Sequence, residues 1–231
     1  MLHHHTVRRM DASLFGTLPV WKILLRVAPP VMLAQLIQAL YNVVDSFFVG
    51  RYSGDGLTAL SVIYPIQLVI TALAVGTGVG VNTQMSRLYA KGRTEAANKT
   101  GGAGILLALV MWALFTAVIL PVLRPFSAAS AESAAAVEDA VVYGTICCAG
   151  SVGVFLEGIF SKIHQARGNM VLPMVAQIAG ALVNIVLDPV FIFGWGALPE
   201  MGVAGAAWAT VLGQVTAAVI TGVTGFRKPP K

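Results

Sequence analysis

Six apolar stretches set the limits on what this chain can fold into. They run at about Pro29–Gly50, Leu57–Gly80, Gly101–Leu123, Val137–Ile163, Val171–Phe193 and Ala204–Phe226. A helix crosses the hydrocarbon core of a bilayer in ~20 apolar residues, and each stretch has that length. Lipid offers backbone N–H and C=O groups no partner, so each stretch must satisfy its own as a helix. The expected fold is all-α and integral to the membrane, a bundle of six transmembrane helices. Charged residues make up 11% of the chain, against roughly a quarter in a soluble domain. No polar stretch is long enough to build a separate soluble domain. The expected division is a basic interfacial lead-in over residues 1–28, a membrane lobe over 29–226, and the start of a cytoplasmic linker at 227–231. His3, His4 and His5 are set aside as a tail. Cys147 and Cys148 are adjacent, which suits neither a metal site nor a disulfide framework, and are read as small packing residues.

The loops give the orientation. Arg8, Arg9, Lys22 and Arg26 precede the first span. Arg87, Lys91, Arg93 and Lys99 surround the second loop, Lys162 and Arg167 the fourth, and Arg227, Lys228 and Lys231 follow the sixth span. In a six-span topology all of these fall on one side. The other side holds only Arg51 and Arg124, among Asp55, Glu132, Glu138, Asp139 and Glu200. Short-loop Lys/Arg bias marks the cytoplasmic side. The chain is therefore expected in a plasma or inner membrane, multi-pass, with both termini cytoplasmic. The net charge of +5 is spent on this bias. A basic patch for nucleic acid would not alternate in step with the spans.

The spans carry polar residues at helical spacing. The first holds Gln35, Gln38, Asn42 and Asp45, and the second Gln67, Thr71, Gly78 and Asn82. The fifth holds Gln177, Asn184 and Asp188, and the sixth Thr210, Gln214 and Thr221. Each set forms one stripe on a helix. An ionisable group at membrane depth costs ~2.5–3.5 kcal/mol on insertion scales, so it faces protein or water. Asn184 and Asp188 share a face, and Pro189 leaves the Ile185 carbonyl without its helical donor. Such a wall suits a proton or a small cation, or it is a buried polar knot that glues helices. The stripes likewise suit a wet cavity lined by Gln35, Gln38, Asn42, Gln67, Thr71, Gln177 and Gln214. In a dry bundle they would be interhelical hydrogen bonds averaging ~0.6 kcal/mol. Asp45, Asp188 and Thr210 all fall roughly 8–9 Å below the outer surface at ~1.5 Å per residue. With Asn184 they are expected to converge in the outer half. Glu157 lies near the inner end of the fourth span, ahead of Lys162, and is expected to pair or snorkel there.

Four motifs carry a family resemblance. Asn42-Val-Val-Asp45-Ser-Phe-Phe-Val-Gly50-Arg51 resembles the first-span signature of multidrug and toxic compound extrusion (MATE) transporters. Gln165-Ala-Arg167-Gly168-Asn169-Met-Val-Leu-Pro173-Met174 resembles their loop into the fifth span. Asn184-x-x-x-Asp188-Pro189 resembles their fifth-span ion motif, and Gly205-Ala-Ala-Trp-Ala-Thr210 the start of their sixth. The resemblance covers roughly residues 20–226. It implies secondary active antiport, coupled to H+ or Na+, that exports small amphipathic, often cationic drugs. It implies coupling-ion ligands at Asp45, Asn184, Asp188 and Thr210, where Na+ is the metal to consider. It also implies a bending role for Pro30; Pro189, which removes a helical hydrogen bond, is the second conformational candidate. So close to the expected helix start, Pro30 also fits a tolerated first-turn residue. No resident cofactor and no enzymatic activity are implied. The family has twelve spans in two similar lobes, so this chain corresponds to the amino-terminal lobe. Its expected partners are membrane lipid, the small-molecule cargo, and a second six-helix lobe from the missing half or from another chain.

Other readings compete. A lipid-linked oligosaccharide flippase of the same superfamily tends to line its cavity with more cations, and these spans hold almost no central Lys or Arg. An intramembrane aspartyl protease would resemble Tyr-Asp plus Gly-x-Gly-Asp. Here Tyr41 is not adjacent to Asp45, and Leu187 precedes Asp188. An inactive truncated fragment or a non-transporting assembly partner completes the set.

Overall fold

The structure, a computed structural model, describes residues 19–227. The lead-in cations Arg8 and Arg9, the histidines 3–5, and the tail residues Lys228 and Lys231 lie outside the described residues. Seven helices account for nearly all of the rest: α1 Val20–Tyr52, α2 Gly54–Ala90, α3 Thr94–Ser130, α4 Ala134–Ala149, α5 Val152–Ala166, α6 Val171–Phe193 and α7 Val203–Arg227. Helices α4 and α5 together form the fourth span. By length and composition six spans are long and apolar enough to cross a membrane. Among the described residues there is no strand, only an isolated bridge between Trp195 and Leu198.

The turns are specified locally. A single extended residue, Ser53, separates α1 from α2, and its hydroxyl caps α2 by accepting from Gly56 N–H at 3.1 Å. Helix α2 stops at Gly92, whose φ of 69° suits a glycine. There Gly92 N–H and Arg93 N–H satisfy the last carbonyls, of Tyr89 and Leu88. The fourth span breaks at Gly150–Ser151, where α7 comes so close that position 150 has no room for a side chain. A Cβ on Gly150 would stand 2.4 Å from Val211 Cγ2. Carbonyls freed at the break are taken by α3: Trp112 Nε1 donates to Ala149 O at 3.1 Å and Thr116 Oγ1 to Cys148 O at 3.3 Å.

The two ends of the bundle differ in charge. Arg167 reaches Tyr89 and Asn98, joining the α5–α6 turn to the α2–α3 turn at the basic end. Ser133 donates to Asp55 at the opposite end, joining the α3–α4 and α1–α2 turns. The core is apolar and close-packed, with Ile63, Met85, Leu123, Tyr143, Phe155 and Ile159 fully buried. Cys148 is buried in it and Cys147 at its edge, both as free thiols. Helix α3 turns Leu106, Leu114 and Val118 outward, as a lipid-facing helix does.

One helix start differs from expectation. The described part of the basic lead-in expected over residues 1–28 is not separate from the first span. From Val20 it is continuous with the span, and Pro29 and Pro30 lie inside α1, not in its first turn. Their missing N–H groups leave the Leu25 and Arg26 carbonyls without helical donors.

Candidate functional site

Five helices converge on one carboxylate pair. Asp45 projects from α1 and Asp188 from α6, and they are 4% and 0% exposed. Their carboxyl groups lie within hydrogen-bonding reach of one another, and Asp45 also lies beside the Tyr143 hydroxyl of α4. One oxygen of each, Oδ1, is buried and has no partner among the described residues. Two ionised carboxylates repel strongly at such range in a low-dielectric site. The arrangement needs a proton or a cation between them.

Asn184 ties this pair to α7. An amide's oxygen and nitrogen are assigned from the bonds they make. With the oxygen toward α7, Asn184 accepts from Thr210 Oγ1 at 3.1 Å and Thr210 N–H at 3.0 Å, and donates to Asp188 Oδ2 at 3.2 Å. The sequence-predicted set Asp45, Asn184, Asp188 and Thr210 thus forms one buried cluster. Pro189 follows Asp188 within α6, which continues as helix to Phe193. Tyr143 was not foreseen, although Tyr143, Cys147 and Ser151 recur at steps of four, a pattern that sequence periodicity contains.

Below the cluster, toward the basic end, lies a cavity of about 380 Å³. Gln35, Gln38 and Asn42 of α1, Gln67 and Thr71 of α2, Gln177 of α6 and Gln214 of α7 all line it. Tyr41 and Tyr64 line it too and were not among the expected cavity residues. Tyr41 stands three residues after Gln38 and four before Asp45, so it belongs to the same stripe. Gln67 Nε2 donates to Tyr143 Oη at 3.3 Å, linking the cavity wall to the carboxylate pair. Asn184 and Thr210 reach the lining, whereas Asp45 and Asp188 lie behind it.

Glu157 departs from expectation. It does not pair with Lys162 and does not snorkel to the helix end. Lys162 Nζ donates instead to Gln165 Oε1 at 3.0 Å. Glu157 points into the cavity, where its Oε1 accepts from Ser161 Oγ and from Gln177 Nε2. Among the described residues it is the one Asp, Glu, Lys or Arg in the cavity lining.

Fold and site define a six-span membrane bundle with a buried carboxylate pair above a polar, cation-free cavity. Residues 30–190 match the family model MatE, and the chain belongs to that family. It is 26% identical over 207 residues to a FAD transporter of Shewanella oneidensis, covering 88% of this chain and 45% of that protein. It is 27% identical over 212 residues to the probable multidrug resistance protein NorM of Thermotoga maritima, covering 90% of this chain and 45% of that protein. Among solved structures it resembles the outward-facing conformation of a multidrug resistance MATE family transporter of the MOP superfamily. There the TM-score is 0.81 at 28% identity, over 89% of this chain and 45% of that one. The chain spans less than half the length of these relatives.

Proposed function

We propose that this chain is one lobe of a secondary active antiporter, not an enzyme, that exports amphipathic cations in exchange for a coupling ion. The carrying observation is the Asp45–Asp188 pair, buried next to a polar cavity whose lining has no Lys or Arg. Asp45, Asn184, Asp188 and Thr210 are the coupling-ion residues. A proton is the favoured ion in this arrangement. The carboxyl groups are within reach of a shared proton, and Asn184 presents N–H, not oxygen, to Asp188. Binding Na+ would call for the Asn184 amide to turn and offer its oxygen, because Na+ takes oxygen ligands. Pro30 and Pro189 are the proposed points of bending, each removing a helical hydrogen bond.

The FAD transporter among the relatives suggests an anionic cargo. Phosphate groups call for Arg, Lys or helix N-termini, and this half of the cavity offers a carboxylate in their place. A hydrolytic aspartate dyad has to reach a peptide and water, yet neither Asp45 nor Asp188 lines the cavity. The proposed location is a plasma or inner membrane, with the basic end cytoplasmic. The test is dye efflux from cells or liposomes under an imposed pH or Na+ gradient, with the lobe in its complete transporter. Efflux indifferent to both gradients would rule out coupling.

A further inference from the structure

We propose that Glu157 is the docking carboxylate for the cationic head of the cargo, at a site separate from the Asp45–Asp188 pair. This rests on the cavity being the transport cavity, as proposed above.

Position separates the two sites. Gln177 donates to Glu157 at 3.3 Å, so the two side chains share a level in the bundle. Asp188 lies farther along the same helix by 188 − 177 = 11 residues, or ~16 Å at ~1.5 Å per residue. A cation at Glu157 therefore does not occupy the space between Asp45 and Asp188.

The surroundings of Glu157 select the ligand. No cation pairs with it directly: among the described residues the ion pairs are Lys99–Glu95 and Arg124–Glu138, and Lys162, the nearby cation, directs its Nζ to Gln165 Oε1 and not to Glu157. Ser161 and Gln177 both donate to the same oxygen, Oε1. They hold the carboxylate in place and leave Oε2 for a ligand. The two donors come from different helices, α5 and α6, so the carboxylate is fixed by the bundle and not by one flexible side chain. The walls nearest it are apolar, with Ile70, Ala74, Val75 and Val154 lining the same cavity, and Tyr64 and Tyr41 stand farther along it toward the Asp45–Asp188 pair. Apolar surface takes the hydrophobic body of an amphipathic molecule while the carboxylate holds its cationic head, and the tyrosines farther along the cavity can stack on an aromatic body. A hydrated metal ion would gain nothing from such walls. The ligand class is an organic cation with an aromatic or aliphatic body.

The experiment measures binding of ethidium, a permanent organic cation, to the 231-residue chain in lipid nanodiscs by fluorescence anisotropy. Fluorescein serves as the anionic comparison. Wild type should bind ethidium and not fluorescein. Glu157→Gln keeps the volume and one acceptor oxygen but removes the charge, and should weaken ethidium at least tenfold. Glu157→Asp should restore part of that loss. Radiolabelled Na+ or proton uptake at the Asp45–Asp188 pair should persist in Glu157→Gln. Ethidium affinity within twofold of wild type in folded Glu157→Gln overturns the assignment. Fluorescein bound as tightly as ethidium by the wild type overturns it without any variant. Failure of the coupling proposal would appear elsewhere, as gradient-independent efflux with ethidium binding intact.

Discussion

Gly180 of α6 and Gly213 of α7 meet backbone to backbone. A Cβ on Gly180 would stand 2.5 Å from Gly213 O, and a Cβ on Gly213 would stand 2.6 Å from Gly180 O. Neither carbonyl can swing aside as a side chain would. This approach sets how close Asn184, one turn above Gly180, comes to Thr210. Gly213→Ala should therefore push the helices apart, at a cost of ~1–3 kcal/mol for overpacking. It should also lengthen the Asn184–Thr210 bonds. Thermal unfolding in detergent should show a lower midpoint, and coupling-ion binding should weaken in the protein that remains folded. A wild-type midpoint for Gly213→Ala would show that the interface has slack.

In the proposed mechanism Asp45 and Asp188 share one coupling ion, so removing either should remove coupling. Asp45→Asn or Asp188→Asn leaves a neutral amide of similar volume in place, and insertion and folding should be largely retained. In the complete transporter, gradient-driven dye efflux should fall at least tenfold with either variant. The double variant should be no worse than the worse single, as expected for residues that share one ion. Efflux close to wild type in both singles would remove the pair from the mechanism.

Much of this site could be read from spacing. The Gln35, Gln38, Asn42 stripe and its counterparts on α2, α6 and α7 each depend only on the 3.6-residue period, and that period holds in a straight helix. The meeting of Asp45 with Asp188 followed from counting residues to a span end, which works when helices are near-vertical. What spacing could not provide was helix continuity and side-chain choice. Pro29 and Pro30 looked like a helix start, because proline is well tolerated in a first turn. The structure carries α1 through them to Val20. Glu157 was assigned to Lys162 because opposite charges five residues apart near a helix end invite a pair. The competing donors came from Gln177 on α6 and from Ser161, and contact with Gln177 is not local in sequence. The break at Gly150–Ser151 was similarly hidden, since the contact made there, with Val211 on α7, is not local in sequence.

Thr210 offers Asn184 two donors, its hydroxyl and its backbone N–H. Thr210→Val keeps the shape and the N–H but removes the hydroxyl. Asn184 should hold its orientation less firmly, and coupling-ion affinity should fall roughly tenfold, equivalent to ~1.4 kcal/mol and in the range for leaving one buried acceptor partly unsatisfied. Thr210→Ser restores the hydroxyl and should bring affinity back to near wild type. Equilibrium ion binding to the purified protein provides the measurement. If Val and Ser variants bind alike, the hydroxyl has no part in the site.

The last prediction concerns the open side of the cavity. Gln35, Gln38 and Asn42 on α1, and Tyr64 and Thr71 on α2, are exposed in this lobe by itself. Polar side chains at membrane depth need protein or water opposite them. The lobe therefore presents a cavity open on one side, with the Asp45–Asp188 pair buried behind it. Binding and transport should separate accordingly. Residues 1–231 alone should bind the coupling ion, because Asp45, Asn184, Asp188 and Thr210 all come from this lobe. They should not export, because alternating access needs a second bundle rocking against the first. Export should appear only with a second lobe, in the same polypeptide, from another chain or from a second copy of this one. The measurement is dye efflux from liposomes holding residues 1–231 under a pH or Na+ gradient, alongside the mass of the particles in lipid. Gradient-driven efflux from particles shown to be monomeric would mean that one lobe can open to both sides of the membrane by itself.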